Sequence, residues 1–297
     1  MNGRDRGAGA VRMKAASAIM LFLIMIICLM GCGSFSQKAG GAEKNATEWF
    51  YEQFDKTHRN AYDAFRDLAG EPFSDDLKEI TDEEGNTVQL PVSELDSVYQ
   101  GFLYDHPEMF WLDRTYRFRV SGSGDDLYAD AVGVIPLFRS AEELEEYEKA
   151  FLDAADLLLQ EISKDTGENE IPSVLYDLLI ENTDYTEEAL YDPELRNEHT
   201  AYGAIAEKSA VCDGFALAYK YLLGRCGIDC IVIPGECEGA AHVWNTVYWD
   251  GAWHETDITF DASSGREREY FDLTTEEMNG DHRRETKGIG LMIPVSE

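Results

Sequence analysis

Asp250-Gly251 is the feature that most restricts what this 297-residue chain can fold into. The dipeptide favours a two-residue β-hairpin turn, and the stretches on either side, His242 to Trp249 and Ala252 to Thr259, have strand character. A turn of that type sets Trp249 opposite Ala252. Counting outwards, Trp244 then faces Asp257 and His242 faces Thr259. His242 and Asp257 therefore share one face as diagonal neighbours, with Cα atoms roughly 7–8 Å apart, within reach of an imidazole and a carboxylate. Glu255 shares that face, opposite Thr246, and is a competing partner for the histidine. His254 points to the other face. Just upstream, Ile231-Val232-Ile233 reads as a short buried strand.

Before this hairpin runs a helical stretch from Cys212 to Arg225, with Phe215, Leu217, Ala218, Tyr221 and Leu222 as apolar positions and Gly224 and Gly227 as stop signals. Cys212 falls in its first turn, where unpaired N–H groups and the positive end of the helix dipole favour an anionic sulfur. Gly214 admits a close approach by backbone or substrate. A thiol nucleophile needs a base to take its proton and a third group to orient that base. Cys212, His242 and Asp257 supply these in order, and the Cys212 N–H at the helix start is the natural oxyanion donor. A buried structural cysteine and a satisfied strand histidine are the bland readings of either residue alone. The conjunction of three favours catalysis.

The motifs resemble the transglutaminase-like superfamily. Cys212-Asp213-Gly214-Phe215-Ala216 is similar to its cysteine motif, with Ala210 where the family usually has glycine. His242-Val243-Trp244-Asn245 resembles its His-Ala-Trp-Asn, and Asp257-Ile258-Thr259-Phe260-Asp261 its aspartate motif. Tyr270-Phe271-Asp272, followed by Thr274 and Thr275, resembles the tail of bacterial members. The resemblance implies an α+β, papain-like core, with the Cys212 helix packed on an antiparallel sheet that carries His242 and Asp257. It implies a thiol enzyme acting on amide bonds of proteins or peptides through a thioester, as a peptidase or an acyltransferase. No cofactor and no metal are expected. The superfamily also includes inactive members, so a silent binding module at the cell surface is the alternative.

The start of the chain reads as targeting rather than fold. Arg4, Arg6, Arg12 and Lys14 precede an apolar run from Ala15 to Met30, and Leu29-Met30-Gly31-Cys32 resembles a bacterial lipoprotein cleavage box. Residues 1–31 are expected to be removed, leaving Cys32 as the lipidated first residue and 32–44 as a polar tether. An uncleaved membrane anchor is the alternative. Met13 would make a more typical signal start than Met1. Either way the folded part is expected outside the cytoplasm, lipid-anchored to the membrane.

Residues 45–165 are expected to form an amino-terminal α+β region without a catalytic constellation, and 166–297 the transglutaminase-like domain. Helices are expected from about Asn45 to Leu68, Pro91 to Tyr104, and Ser140 to Ser163, the last from a Ser140-x-x-Glu143 capping box. A hairpin is expected between Thr115 and Phe138, and short helices at Pro172–Glu181 and Thr200–Ile205. Asp105-His106-Pro107-Glu108 reads as a helix-ending turn. A net charge of −33 argues against nucleic acid as a partner, while 44% hydrophobic residues argue against disorder. Cys226, Cys230 and Cys237 lack the spacing of a zinc site. One disulfide among them is compatible with an oxidising compartment, and the sequence does not choose the pair.

Overall fold

Asp55 divides the first apolar stripe. One helix is expected there, but two form, α1 (Trp49–Gln53) and α2 (Lys56–Ala69). The Asp55 carboxylate accepts from the N–H groups of Thr57 and His58 at 2.9 and 3.0 Å. It thus starts a new helix where apolar spacing alone reads straight through. The computed structural model describes residues 48–123, 126–265 and 268–297; the expected signal, the Cys32 box and the tether lie outside them.

After α2 come β1 (Lys78–Glu79), β2 (Leu90–Pro91), α3 (Val92–Asp105), β3 (Arg117–Ser123) and β4 (Asp126–Gly133). β4 pairs antiparallel with the other three strands. The cluster beginning at Asp105 ends α3, but the Asp105 side chain does more than turn the chain. It is buried and accepts from the N–H groups of Phe50 and Tyr51 at 3.3 and 3.0 Å and from the Tyr62 hydroxyl at 3.0 Å. It serves the first turn of α1, whose own cap residue Glu48 makes no such bond. α4 (Ala141–Gln160) follows. Ser140 Oγ accepts from Glu143 N at 3.3 Å, but the Glu143 carboxylate takes the Arg139 N–H instead, so only half of the expected box forms.

The second half contains α5 (Ile171–Asn182), β5 (Asp184–Tyr185), β6 (Ser209–Ala210), α6 (Cys212–Arg225), β7 (Cys230–Cys237), β8 (Ala240–Trp249), β9 (Ala252–Thr256), α7 (Ile258–Ser264), α8 (Thr275–Met278) and β10 (His282–Arg284). The short helix expected at Thr200–Ile205 forms over 201–207, with Gly203–Glu207 as a π-helical turn. β5 and β6 pair in parallel, and the main sheet is antiparallel in the order β10-β7-β8-β9. Asp250 and Gly251 have φ of 49° and 85°, as a type I′ turn requires. The register runs as expected from Trp249↔Ala252 to Asn245↔Thr256. There β9 stops, so Thr259 never faces His242. α6 packs on this sheet, where Asn245 Nδ2 donates to the Ala216 carbonyl at 3.0 Å.

Residues 45–297 form one compact unit. One core cluster joins Phe50, Phe65, Tyr99 and Phe102 to Ile231, Ile233, Trp244 and Ile293. A second joins Phe110, Phe138 and Phe151 to Tyr202, Phe215 and Leu222. Both draw on residues from either side of Asp165, so the division expected there is one of sequence rather than of cores.

Candidate active site

Cys212 is the first residue of α6 and is partly exposed. The cap position before it holds Val211, whose side chain can accept nothing, so the first-turn N–H groups remain for a ligand or solvent. Gly214 is needed for backbone rather than substrate. A Cβ there would lie 2.3 Å from the Glu198 carbonyl oxygen, which packs against the helix start and accepts from Val211 N at 3.0 Å. Asp213 would be an unhelpful charge beside an anionic sulfur, but it is neutralised locally. His199 Nδ1 and Arg114 Nη1 donate to it at 2.8 and 2.7 Å. Burial lowers the His199 pKa, yet the hydrogen bond and charge of Asp213 raise it further, so the net shift is upwards.

His242 and Asp257 meet, though not as strand partners. Asp257 leaves the sheet with φ −131° and ψ 95° and caps α7. Its Oδ1 accepts from Thr259 N at 2.9 Å and Phe260 N at 3.3 Å. Its Oδ2 accepts from His242 Nε2 at 2.6 Å, and the Cys212 side chain lies close enough to the ring to act on its protonation. Both groups are buried. Burial alone would lower the His242 pKa, but the charge of Asp257, its hydrogen bond and the nearby Cys212 carry it up to about 10. Burial would likewise raise Asp257, but the charge and hydrogen bond of His242, reinforced by His282, hold its pKa far below the usual carboxylate range. The pair is therefore an imidazolium and a carboxylate at neutral pH.

Glu255, the competing carboxylate, is already engaged. Its Oε2 accepts from Trp244 Nε1 and its Oε1 from Arg284 Nη2, each at 2.6 Å. His254 lies apart, stacked on Trp249 at 4.0 Å between ring centroids and paired with Asp272 at 2.6 Å. The second aspartate of the motif, Asp261, is a bracket. It accepts from the hydroxyl of Tyr176 at 2.5 Å and from the N–H groups of Glu269 and Tyr270 at 3.1 and 3.2 Å.

Sequence reasoning missed His282 and Asp281. His282 is buried on β10 with Nε2 3.0 Å from Asp257 Oδ2 and Nδ1 2.6 Å from Asp281 Oδ1. Nothing in Gly280-Asp281-His282-Arg283 carries a period or a motif, and the pairing of β10 with β7 is long-range. Donor atoms of His242, Asp257 and His282 lie within 4.8 Å of one another, as do those of Cys237, Asp281 and His282. In the first group the anionic Asp257 accepts from both rings, so the facing nitrogens carry protons rather than free lone pairs. Cys212, Cys230 and Cys237 are free thiols. Burial pushes Cys230 up to about 12 and Cys237 up to about 11, which disfavours the thiolate of either. Beside Asp213 and Leu217 a cleft of about 510 Å³ opens between the 100–114 and 189–201 stretches, with Tyr104, Phe110 and Arg196 among its walls.

The family model of the transglutaminase-like superfamily matches residues 157–258, about a third of the chain, and that segment carries Cys212, His242 and Asp257. Kyphoscoliosis peptidases of Mus musculus and Homo sapiens are each 31% identical over 61 residues, covering 16% of this chain and 9% of the relative's own length. A solved structure of a TGase aligns with 17% identity and a TM-score of 0.35, over 48% of this chain and 44% of that one.

Proposed function

We propose that the transglutaminase-like domain of this chain is a working Cys-His-Asp thiol enzyme that cleaves or transfers amide-linked acyl groups of proteins or peptides. The observation that carries this reading is the buried 2.6 Å bond from His242 to Asp257, with Cys212 at the start of a helix acting on the same ring. The site supports the following course. Cys212 sulfur, its proton held by His242, attacks the amide carbon. The developing oxyanion is met by the Cys212 N–H. Collapse breaks the C–N bond, and the amine leaves with the proton from His242, giving a thioester. Water or a second amine then loses a proton to His242 as it attacks the thioester carbonyl, and the thiolate departs. Asp257 keeps the ring oriented and its cation stabilised throughout. Lipid anchoring through Cys32 would hold this chemistry outside the cytoplasm, at the membrane surface.

The test is the rate of alkylation of Cys212 against pH in the full chain and in its His242→Ala variant, with peptide mapping to locate the label. Rapid labelling at about pH 6–7, well below an ordinary thiol pKa of about 8.5, and its loss in the variant are expected. The buried Cys230 and Cys237 thiols stay silent in that range. An ordinary thiol profile in both proteins would remove the enzyme reading and favour a silent binding module.

A further inference from the structure

Asp257 accepts four hydrogen bonds, and only three are explained by a triad on a helix cap. The fourth comes from His282, a residue in neither the triad nor the segment that the family model matches. Its surroundings are specific. On one side of the ring is Asp257 Oδ2 at 3.0 Å; on the other is Asp281 Oδ1 at 2.6 Å, and Asp281 Oδ2 in turn accepts from the Tyr270 hydroxyl at 2.6 Å. Asp257 Oδ2 is a carboxylate oxygen and can only accept, so the N–H of this bond belongs to His282 Nε2.

Every element packed around the ring contributes to this arrangement. β8 supplies Trp244, edge-on at 4.9 Å between centroids, and His242 at 5.3 Å. α7 supplies Phe260 at 5.0 Å, and the segment after it supplies Tyr270 at 5.6 Å. β7 places Cys237 opposite His282 in the ladder, with its sulfur near the Asp281 carboxylate. Burial alone would raise Asp281, but the hydrogen bonds from Tyr270 and His282 leave its pKa below the ordinary value.

We propose that His282, braced by Asp281, is a positioning residue of the Cys212 site: its N–H to Asp257 holds that carboxylate in the place where it orients His242. The hydrogen bond is what Asp257 loses when the His282 ring is removed. With Oδ2 released, the carboxylate can shift within its cap, and the His242 ring loses the orientation that presents it to the sulfur. This inference rests on the thiol-enzyme reading and deepens it.

The experiment compares the pH profile of Cys212 alkylation in the full chain for the wild type, His242→Ala, His282→Leu, His282→Gln and Asp281→Ala, with circular dichroism as the check on folding. His282→Leu is expected to move the acid limb upwards and to slow labelling about tenfold near pH 6, the size of one hydrogen bond to a charged group. His282→Gln, whose amide N–H can still reach Asp257, is expected to recover most of that loss, which a purely space-filling role would not predict. Asp281 is 38% exposed, so Asp281→Ala should fold and shift the limb in the same direction. A folded His282→Leu with the wild-type limb overturns the proposal, as does a glutamine variant no better than the leucine one. If the leucine variant loses its fold, an unshifted limb in Asp281→Ala overturns it instead. A wild-type profile independent of His242 removes the enzyme reading and this inference together, whereas a His242-dependent limb that ignores His282 removes this inference alone.

Discussion

Asp257 spends its two oxygens differently, one on the backbone of α7 and one on imidazoles. An amide at this position keeps only one acceptor. Asp257→Asn is therefore expected to retain the cap or the histidine contact but not both, and to slow thioester formation by about 10²–10⁴-fold, as tautomer control is lost; single-turnover acylation measures it. Linkage fixes the pH range in which the pair stabilises the fold. The lowered Asp257 contributes above its unfolded value of about 3.9 and loses that contribution as pH falls. The raised His242 contributes fully below about 6.5 and loses its contribution as pH climbs through about 10. Denaturant unfolding should show the gap between wild type and His242→Ala widest between about pH 5 and 7 and shrinking on both sides. The encounter of His242 with Asp257 could be read from hairpin register. Its form could not, because a capping aspartate ends the strand one residue before it. His282 left no trace in the sequence, since its contacts depend on an edge strand of three residues.

At the scale of elements, the β8–β9 hairpin and α6 follow local rules, a type I′ turn and an apolar stripe, and they form where those rules put them. The elements that depart from expectation are those decided by one polar side chain: Asp55 splitting a helix, Asp257 ending a strand, Glu143 turning away from its box. β7 also runs past the apolar triplet that announced it, to Cys237, because β8 pairs with its whole length and β10 with its far end. Gly235 permits that pairing. A Cβ there would lie 2.3 Å from the Arg283 carbonyl oxygen and 2.6 Å from the Trp244 ring, neither of which can yield cheaply. Gly235→Ala should cost about 2–4 kcal/mol by overpacking, visible as a lower denaturant midpoint. It should also slow Cys212 labelling, because β10 carries His282.

For the whole molecule, the amino-terminal region shares its interior with the segment that carries Cys212, His242 and Asp257. Arg114 bonds Asp213, the residue after Cys212, and Phe50 and Phe102 share a core with Ile233 and Trp244. A fragment of residues 166–297 would expose that apolar surface. It is expected to lack the near-ultraviolet circular dichroism and dispersed methyl signals of a packed core, whereas 45–297 should show both. Composition and periodicity suggested two regions because each has its own run of helices and strands; they carry no information about which faces meet. The order of residues along the chain has a genetic consequence. Cys212, His242 and Asp257 are all encoded before β10, so a premature stop anywhere from Glu269 to Asp281 would leave the triad legible in the gene while deleting the strand that closes over it. Inspection of the codons for Cys212, His242 and Asp257 would score such an allele as intact, although its product would lack the histidine that completes the bonding of Asp257.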